Sequence, residues 1–167
     1  MSDNAPVRFA LLVGGAALFV WLSSLSLPDV VASHFEGDGY ANGFMSRAGY
    51  LRFTLAFVVG LPVFLVGVLH LSLGSPNARI NLPNRDYWLA PERRADTVAF
   101  LRAHMARFGA VLVVFLCYVH WLVVRANRLA PPRLSSPAMV GGLLVFVVFA
   151  LIWIRSLLRR FRNLPRG

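Results

Sequence analysis

His34, Glu36 and Asp38 alternate along one stretch of the chain, so an extended backbone would turn all three to the same side. With His120 reaching them from below, they would offer imidazole and carboxylate donors suited to zinc or a similar divalent ion. The same residues also read as the solvated, acidic tip of a hairpin. With no fixed fourth ligand, that reading is preferred. Cys117 and His120 stand one helical turn apart, but nucleophilic catalysis needs a paired base and a third orienting group, and no Ser, Cys or His spacing supplies them. Cys117 reads as a small apolar filler, and as the single cysteine it cannot form an intrachain disulfide. Phosphate-binding glycine motifs are absent.

Histidines that share a haem or a metal must lie at one depth. His70 falls near one end of its helix and His120 near the opposite end of another, roughly 18 Å apart along the membrane normal. His104 stands with His70, but no other helix supplies the companions that paired axial ligation requires. No cofactor is expected, and the chain reads as non-enzymatic.

The elements that must position these residues are helices in a bilayer. The chain has 167 residues, 57% hydrophobic and 14% charged, with mean hydropathy +0.64, outside the balance of a soluble domain. Uncharged apolar runs cover residues 9–27, 53–73, 108–124 and 137–154, each long enough to cross a hydrocarbon core of about 30 Å as a helix. The first run exceeds the apolar core of a signal peptide, so it is expected to be a retained span even though Val30-Val31-Ala32 resembles a cleavage site. No charge falls inside a run, and transport by this chain alone is not expected. The expected fold is an all-α membrane protein of one domain, four transmembrane helices in an antiparallel bundle. Gly60 and Gly67 would share a packing face of the second helix, and Pro62 would kink it.

Orientation follows from arginine, which supplies all 17 basic residues and a net charge of +10. Arg8, the middle-loop set Arg79, Arg85, Arg93, Arg94, Arg102 and Arg107, and the tail set Arg155, Arg159, Arg160, Arg162 and Arg166 fall on one side. Arg47, Arg52, Arg125, Arg128 and Arg133 fall on the other. The positive-inside rule puts the larger set, and with it both termini, in the cytoplasm. Because these charges border apolar runs, the expected partner is anionic lipid rather than nucleic acid. Arg155, Arg159, Arg160 and Arg162 would rest on headgroups as a surface-lying helix end in the tail, 155–167.

Two connections are longer than turns need to be. The outer loop, 28–52, alternates aromatic and polar residues around glycines and suggests a hairpin or ordered cap. The inner loop, 74–107, opens with turn chemistry at Ser75-Pro76-Asn77 and Asn81-Leu82-Pro83-Asn84. Pro91 and Glu92 then suit the start of a helix. Val98, Leu101, Met105 and Phe108 follow at helical spacing, predicting an amphipathic cytoplasmic helix that leads into the third span. Tyr87 and Trp88 would anchor its start at the headgroups.

At Leu27-Pro28-Asp29, His34-Phe35, Gly39 and Ser46-Arg47, and again over Ile80-Asn81-Leu82-Pro83-Asn84-Arg85-Asp86-Tyr87-Trp88-Leu89-Ala90-Pro91-Glu92, the chain resembles the membrane domain of unknown function that opens SdpI-like proteins. The resemblance covers about the first two-thirds of the chain and implies a bacterial inner-membrane protein. For that family's best-known member it also implies immunity to a secreted peptide toxin, with capture of a repressor at the membrane. It further implies that an outer surface at His34, Phe35 and Tyr40 meets a peptide. An inner surface at Asn81, Pro83, Asn84, Asp86, Tyr87 and Trp88 would meet a cytoplasmic protein. The toxin-immunity proteins carry further spans that this chain lacks. Two alternatives stand beside this expectation: an accessory subunit of a larger membrane complex, packing through Phe146, Phe149 and Trp153, and a metal enzyme built on His34, Glu36 and Asp38.

Overall fold

The computed structural model describes residues 5–75 and 80–164. Pro76 and Asn77 of the expected inner-loop turn, with Arg79 and Arg166 of the charge census, lie outside the described residues. In order come α1 (Ala5–Ser24), β1 (Val30–Phe35), β2 (Ala41–Ser46), α2 (Arg47–Leu55), a π-helical segment (Ala56–Gly60), α3 (Leu61–Gly74), α4 (Arg85–Trp88), α5 (Pro91–Ala126) and α6 (Ser136–Arg162). Four helices are long and apolar enough to cross a membrane: α1, the continuous helix Arg47–Gly74, α5 and α6, of 20, 28, 36 and 27 residues. The chain is mostly helical but not all-α, because β1 and β2 form a two-stranded antiparallel sheet.

The helices are longer than the apolar runs that announce them, since a helix continues until its backbone is capped rather than until its side chains become polar. The second begins at Arg47, not Phe53, because the Ser46 hydroxyl accepts the Gly49 N–H at 3.2 Å and Tyr50 and Thr54 turn inward. The expected outer loop therefore ends at residue 46. The amphipathic segment and the third span are one helix, α5, started by Pro91 and never broken. Likewise the basic tail continues α6 to Arg162.

Pro62 acts on its helix through the turn before it. Proline has no N–H and its ring crowds the carbonyl four residues back. Here the ladder widens over Ala56–Gly60, and the Leu61 N–H reaches the Ala56 carbonyl, five residues back. A π segment thus absorbs the mismatch.

The core gathers on α5. Phe9, Ala16 and Val20 of α1 meet Val58 and Val113, with Leu55, Val66 and Cys117 packed around them. The close approaches are not made at Gly60 and Gly67, since a Cβ on either would meet nothing. They are made at Gly109, where a Cβ would strike Val66 and the Phe9 ring, and at Gly142, where it would strike the Tyr118 ring. The small residues sit where α5 must draw near its neighbours. Phe146, Phe149 and Trp153, expected to face another subunit, instead meet α5. Phe146 stacks on Phe115 at 4.5 Å between centroids, and Phe108 meets Trp153 at 4.8 Å.

A third cluster joins the tail to the connection before α5. Phe161 packs with Leu73 and Leu101 and is flanked by Trp88, Phe100 and Leu157. Asn84 takes the left-handed conformation at φ 52°, which asparagine tolerates better than most residues. From there its side-chain amide donates to the Phe161 and Arg162 carbonyls, each at 3.0 Å. The Trp88 indole N–H donates to the Phe161 carbonyl at 3.0 Å. Carbonyls that the helix end leaves without intrahelical donors are thereby satisfied. Asn84 and Trp88, read as partner-binding, use their polar atoms inside the chain. Asn81 and Asp86 remain exposed, Pro83 and Tyr87 are half-buried, and the Arg93 guanidinium lies 4.1 Å over the Tyr87 ring. Of the tail arginines, Arg160 covers the Phe100 ring at 4.0 Å, while Arg155, Arg159 and Arg162 are exposed.

Candidate functional site

The residues that could do chemistry collect where the hairpin sits on the helices. Inward-facing Leu27, Val31 and Tyr50 pack with Val123 and Val124, and Phe35, Met45 and Leu134 close the cluster. Phe35 is therefore partly spent on the core rather than free for a peptide. The strands pair in regular register from Val30–Ser46 to Ala32–Phe44, then slip between Ala32 and His34 and again before Phe35. Such slippage bends the strand and breaks the alternation that would align His34, Glu36 and Asp38.

The hairpin is fastened to the α5–α6 connection. Asn127 behaves as one residue of a third strand: its side-chain carbonyl accepts the Ala32 N–H at 2.8 Å, and its amide donates to the Ala32 carbonyl at 2.9 Å. The Leu134 N–H donates to the Gly39 carbonyl at 2.8 Å, and the Ser136 hydroxyl to the Gly37 carbonyl at 3.0 Å. Arg133 donates to the Asp38 carbonyl at 3.3 Å and lies 4.6 Å over the Tyr40 ring. On the other flank, Arg47 pairs with Asp29 at 2.9 Å and donates to the Leu27 carbonyl at 3.0 Å.

Asn127→Ala tests this fastening. It strands both backbone groups of Ala32, a residue only 1% exposed, at about 1–3 kcal/mol per group. Amide hydrogen exchange over residues 30–46 should accelerate about tenfold or more, with α1 and α3 unchanged. Equal acceleration in all helices, or none anywhere, would show that the amide does not hold the cap.

On the exposed face, His34, Asn42 and Glu36 form a line. The His34 Nδ1 bonds the Asn42 carbonyl oxygen, and the Asn42 amide donates to Glu36 Oε1 at 2.9 Å. Asp38 turns back to accept the Tyr40 N–H at 3.0 Å. Neither arrangement includes His120, and among the described residues no group of three His, Cys, Asp or Glu side chains could hold a metal. The donor set His34, Glu36, Asp38 and His120 is thus not assembled, because His120 is committed elsewhere.

That commitment is a buried polar chain which sequence spacing did not reveal. His120, 2% exposed, bonds Ser23 Oγ through Nε2 at 2.7 Å and the Tyr50 hydroxyl through Nδ1 at 2.8 Å. The Phe19 ring stands edge-on to the imidazole at 5.8 Å. The Ser23 hydroxyl donates to the Phe19 carbonyl. It therefore offers its lone pair, not its proton, to Nε2–H, and Tyr50 O–H donates to Nδ1. A serine nucleophile would need the opposite arrangement. Cys117 packs in the apolar cluster below, and both ring nitrogens of His120 are already taken. His104 lies well inside α5 on the Pro91 side of His120, stacked at 4.6 Å on Trp153, whose indole donates to the His104 carbonyl at 3.0 Å. His70 is exposed, and its backbone carbonyl accepts from Arg102 at 3.2 Å.

No protein-family model, curated protein or solved structure matches this chain.

Proposed function

We propose that the chain is a non-enzymatic bacterial inner-membrane protein of the SdpI-like type, an immunity or signalling component whose hairpin recognises a peptide or protein. In this reading the four long helices cross as an antiparallel bundle, both termini are cytoplasmic and the hairpin lies outside. The observation that carries it is a cap fixed at both flanks whose outward groups the fold leaves over. The His34–Asn42–Glu36 line, Tyr40 at 43% exposure and Phe44 at 57% are held in one geometry, which lowers the ordering cost of binding. Against catalysis stands the Ser23 proton, engaged by its own helix.

Two measurements separate location from role. In a Cys117→Ser background, Gly37→Cys should react with a membrane-impermeant maleimide on intact cells. Labelling only after lysis would reverse the orientation. Deleting the gene should sensitise the host to membrane-permeabilising peptides, with rescue by the wild-type chain but not by His34→Ala/Phe44→Ala. Unchanged survival would remove the immunity role.

A second reading, an accessory subunit, draws on α6. Its most apolar stretch has no fully buried residue, and Leu144, Val148, Leu151 and Ile152 stay exposed. Purification in mild detergent would then yield a stoichiometric complex, whereas a monodisperse lone chain counts against it.

A further inference from the structure

We infer that the cleft between α5 and α6 at the hairpin end binds an anionic, phosphate-bearing lipid, its headgroup among Arg125, Arg128 and Arg133 and an acyl chain along the groove below. The site borders the hairpin through Arg133 but does not rest on the recognition role proposed for it.

The cleft has two parts of opposite character that share Tyr118 as a wall. At the end of α5, a cavity of about 670 Å³ is lined by Arg125, Arg128 and Arg133 together with Trp121 and Ser135. Among the described residues, no carboxylate pairs with any of these three guanidiniums, the ion pair there being Arg47–Asp29. Arg125 lies 4.9 Å over the Trp121 ring, and Arg133 meets a carbonyl oxygen and a tyrosine ring. These contacts orient the cations without neutralising them, which leaves donors for phosphate oxygens. Below lies an apolar groove of about 540 Å³, walled by Val114 and Phe115 of α5 and by Val145 and Phe146 of α6.

Tyr118 lines both parts. Its hydroxyl donates to the Ala138 carbonyl at 2.8 Å, and its ring rests where a side chain at Gly142 would stand. The groove runs from Val111 to Tyr118 on one helix and from Gly142 to Phe149 on the other, roughly 10 Å at 1.5 Å per residue. Cations at the helix end, Trp and Tyr beside them and aliphatic walls beneath follow the polarity profile of one leaflet. A second transmembrane helix would fit the groove but would cover guanidiniums that have no counter-charge, which is costly. A free phosphate would leave the apolar half unused. A lipid phosphate with its chain satisfies both.

The test uses the full chain, delipidated in detergent, with binding followed by native mass spectrometry. Dimyristoyl phosphatidylglycerol should bind at least tenfold more tightly than dimyristoyl phosphatidylcholine or glycerol phosphate. Arg125→Gln/Arg128→Gln should weaken phosphatidylglycerol binding at least tenfold. Val145→Trp, at a position 72% exposed, should do the same by filling the groove without touching the core. Leu71→Trp, at a position 77% exposed on α3 and outside the cleft, should change it less than twofold. Equal binding of phosphatidylcholine or glycerol phosphate would overturn the site, as would retention in both cleft variants or an equal loss in Leu71→Trp.

Discussion

Replacing Phe161 with alanine is expected to lower stability by about 3–5 kcal/mol, the range for truncating a buried aromatic. Phe161 is 1% exposed. The rings of Trp88 and Phe100 stand edge-on to it at 5.5 and 5.7 Å, and Leu73 and Leu101 complete its pocket. The loss should exceed the transfer free energy of the ring alone, because the carbonyl of the same residue accepts the Trp88 indole and the Asn84 amide. Once the ring no longer holds the end of α6, both donors lose their geometry. In detergent, the denaturation midpoint should fall and trypsin should cut at Arg159, Arg160 and Arg162 while the hairpin stays protected. Arg160→Gln, which removes only a cation lying over the half-buried Phe100 and Trp88 rings, should cost about 0.5–1 kcal/mol. Equal protease resistance in Phe161→Ala and the parent would mean that the tail is not held by this side chain.

The tail also shows what the sequence made legible and what it did not. Arg155, Arg159, Arg160 and Arg162 advertised a charged surface, and a residue set in such a run reads as solvated. Phe161 escaped notice because its partners, Trp88 and Phe100, lie far away in the chain. The four long helices were legible because uninterrupted apolar runs of spanning length have few other solutions. The hairpin was legible from glycines between alternating side chains. Boundaries were not, since Ser46 caps a helix whose first turns carry Arg47 and Arg52, and arginine, a good helix former, does not end α6. Gly60 and Gly67 had the right spacing for a packing face, yet α5 approaches through Gly109 and Gly142 instead. Spacing within one helix cannot say which neighbour it will meet. What keeps His120 from His34, Glu36 and Asp38 was hidden for the same reason: donor types were legible, but the partners that His120 takes were not.

Those partners, Ser23 and Tyr50, lie 97 and 70 residues from His120, and they set the second large effect. His120→Leu fills the space with a side chain that can neither donate nor accept. The Tyr50 hydroxyl, on a residue 5% exposed, and the Ser23 lone pair then lose their partner, at about 1–3 kcal/mol per stranded group. Tyr50→Phe alone should destabilise by about half as much, because it strands one lone pair on Nδ1. The decisive variant is His120→Leu/Tyr50→Phe. Taking both polar groups away together leaves little unsatisfied, so the double variant should be no less stable than His120→Leu by itself. Chemical denaturation in a fixed detergent would read all three. Additive losses would mean that histidine and tyrosine act separately, and the cap would then rest on Asn127 and the apolar cluster of Leu27, Val31 and Val124. Non-additive losses would tie α2, the helix that follows the hairpin, to α1 and α5 through one hydrogen-bonded chain. With its own proton on the Phe19 carbonyl, Ser23 enters that chain as an acceptor.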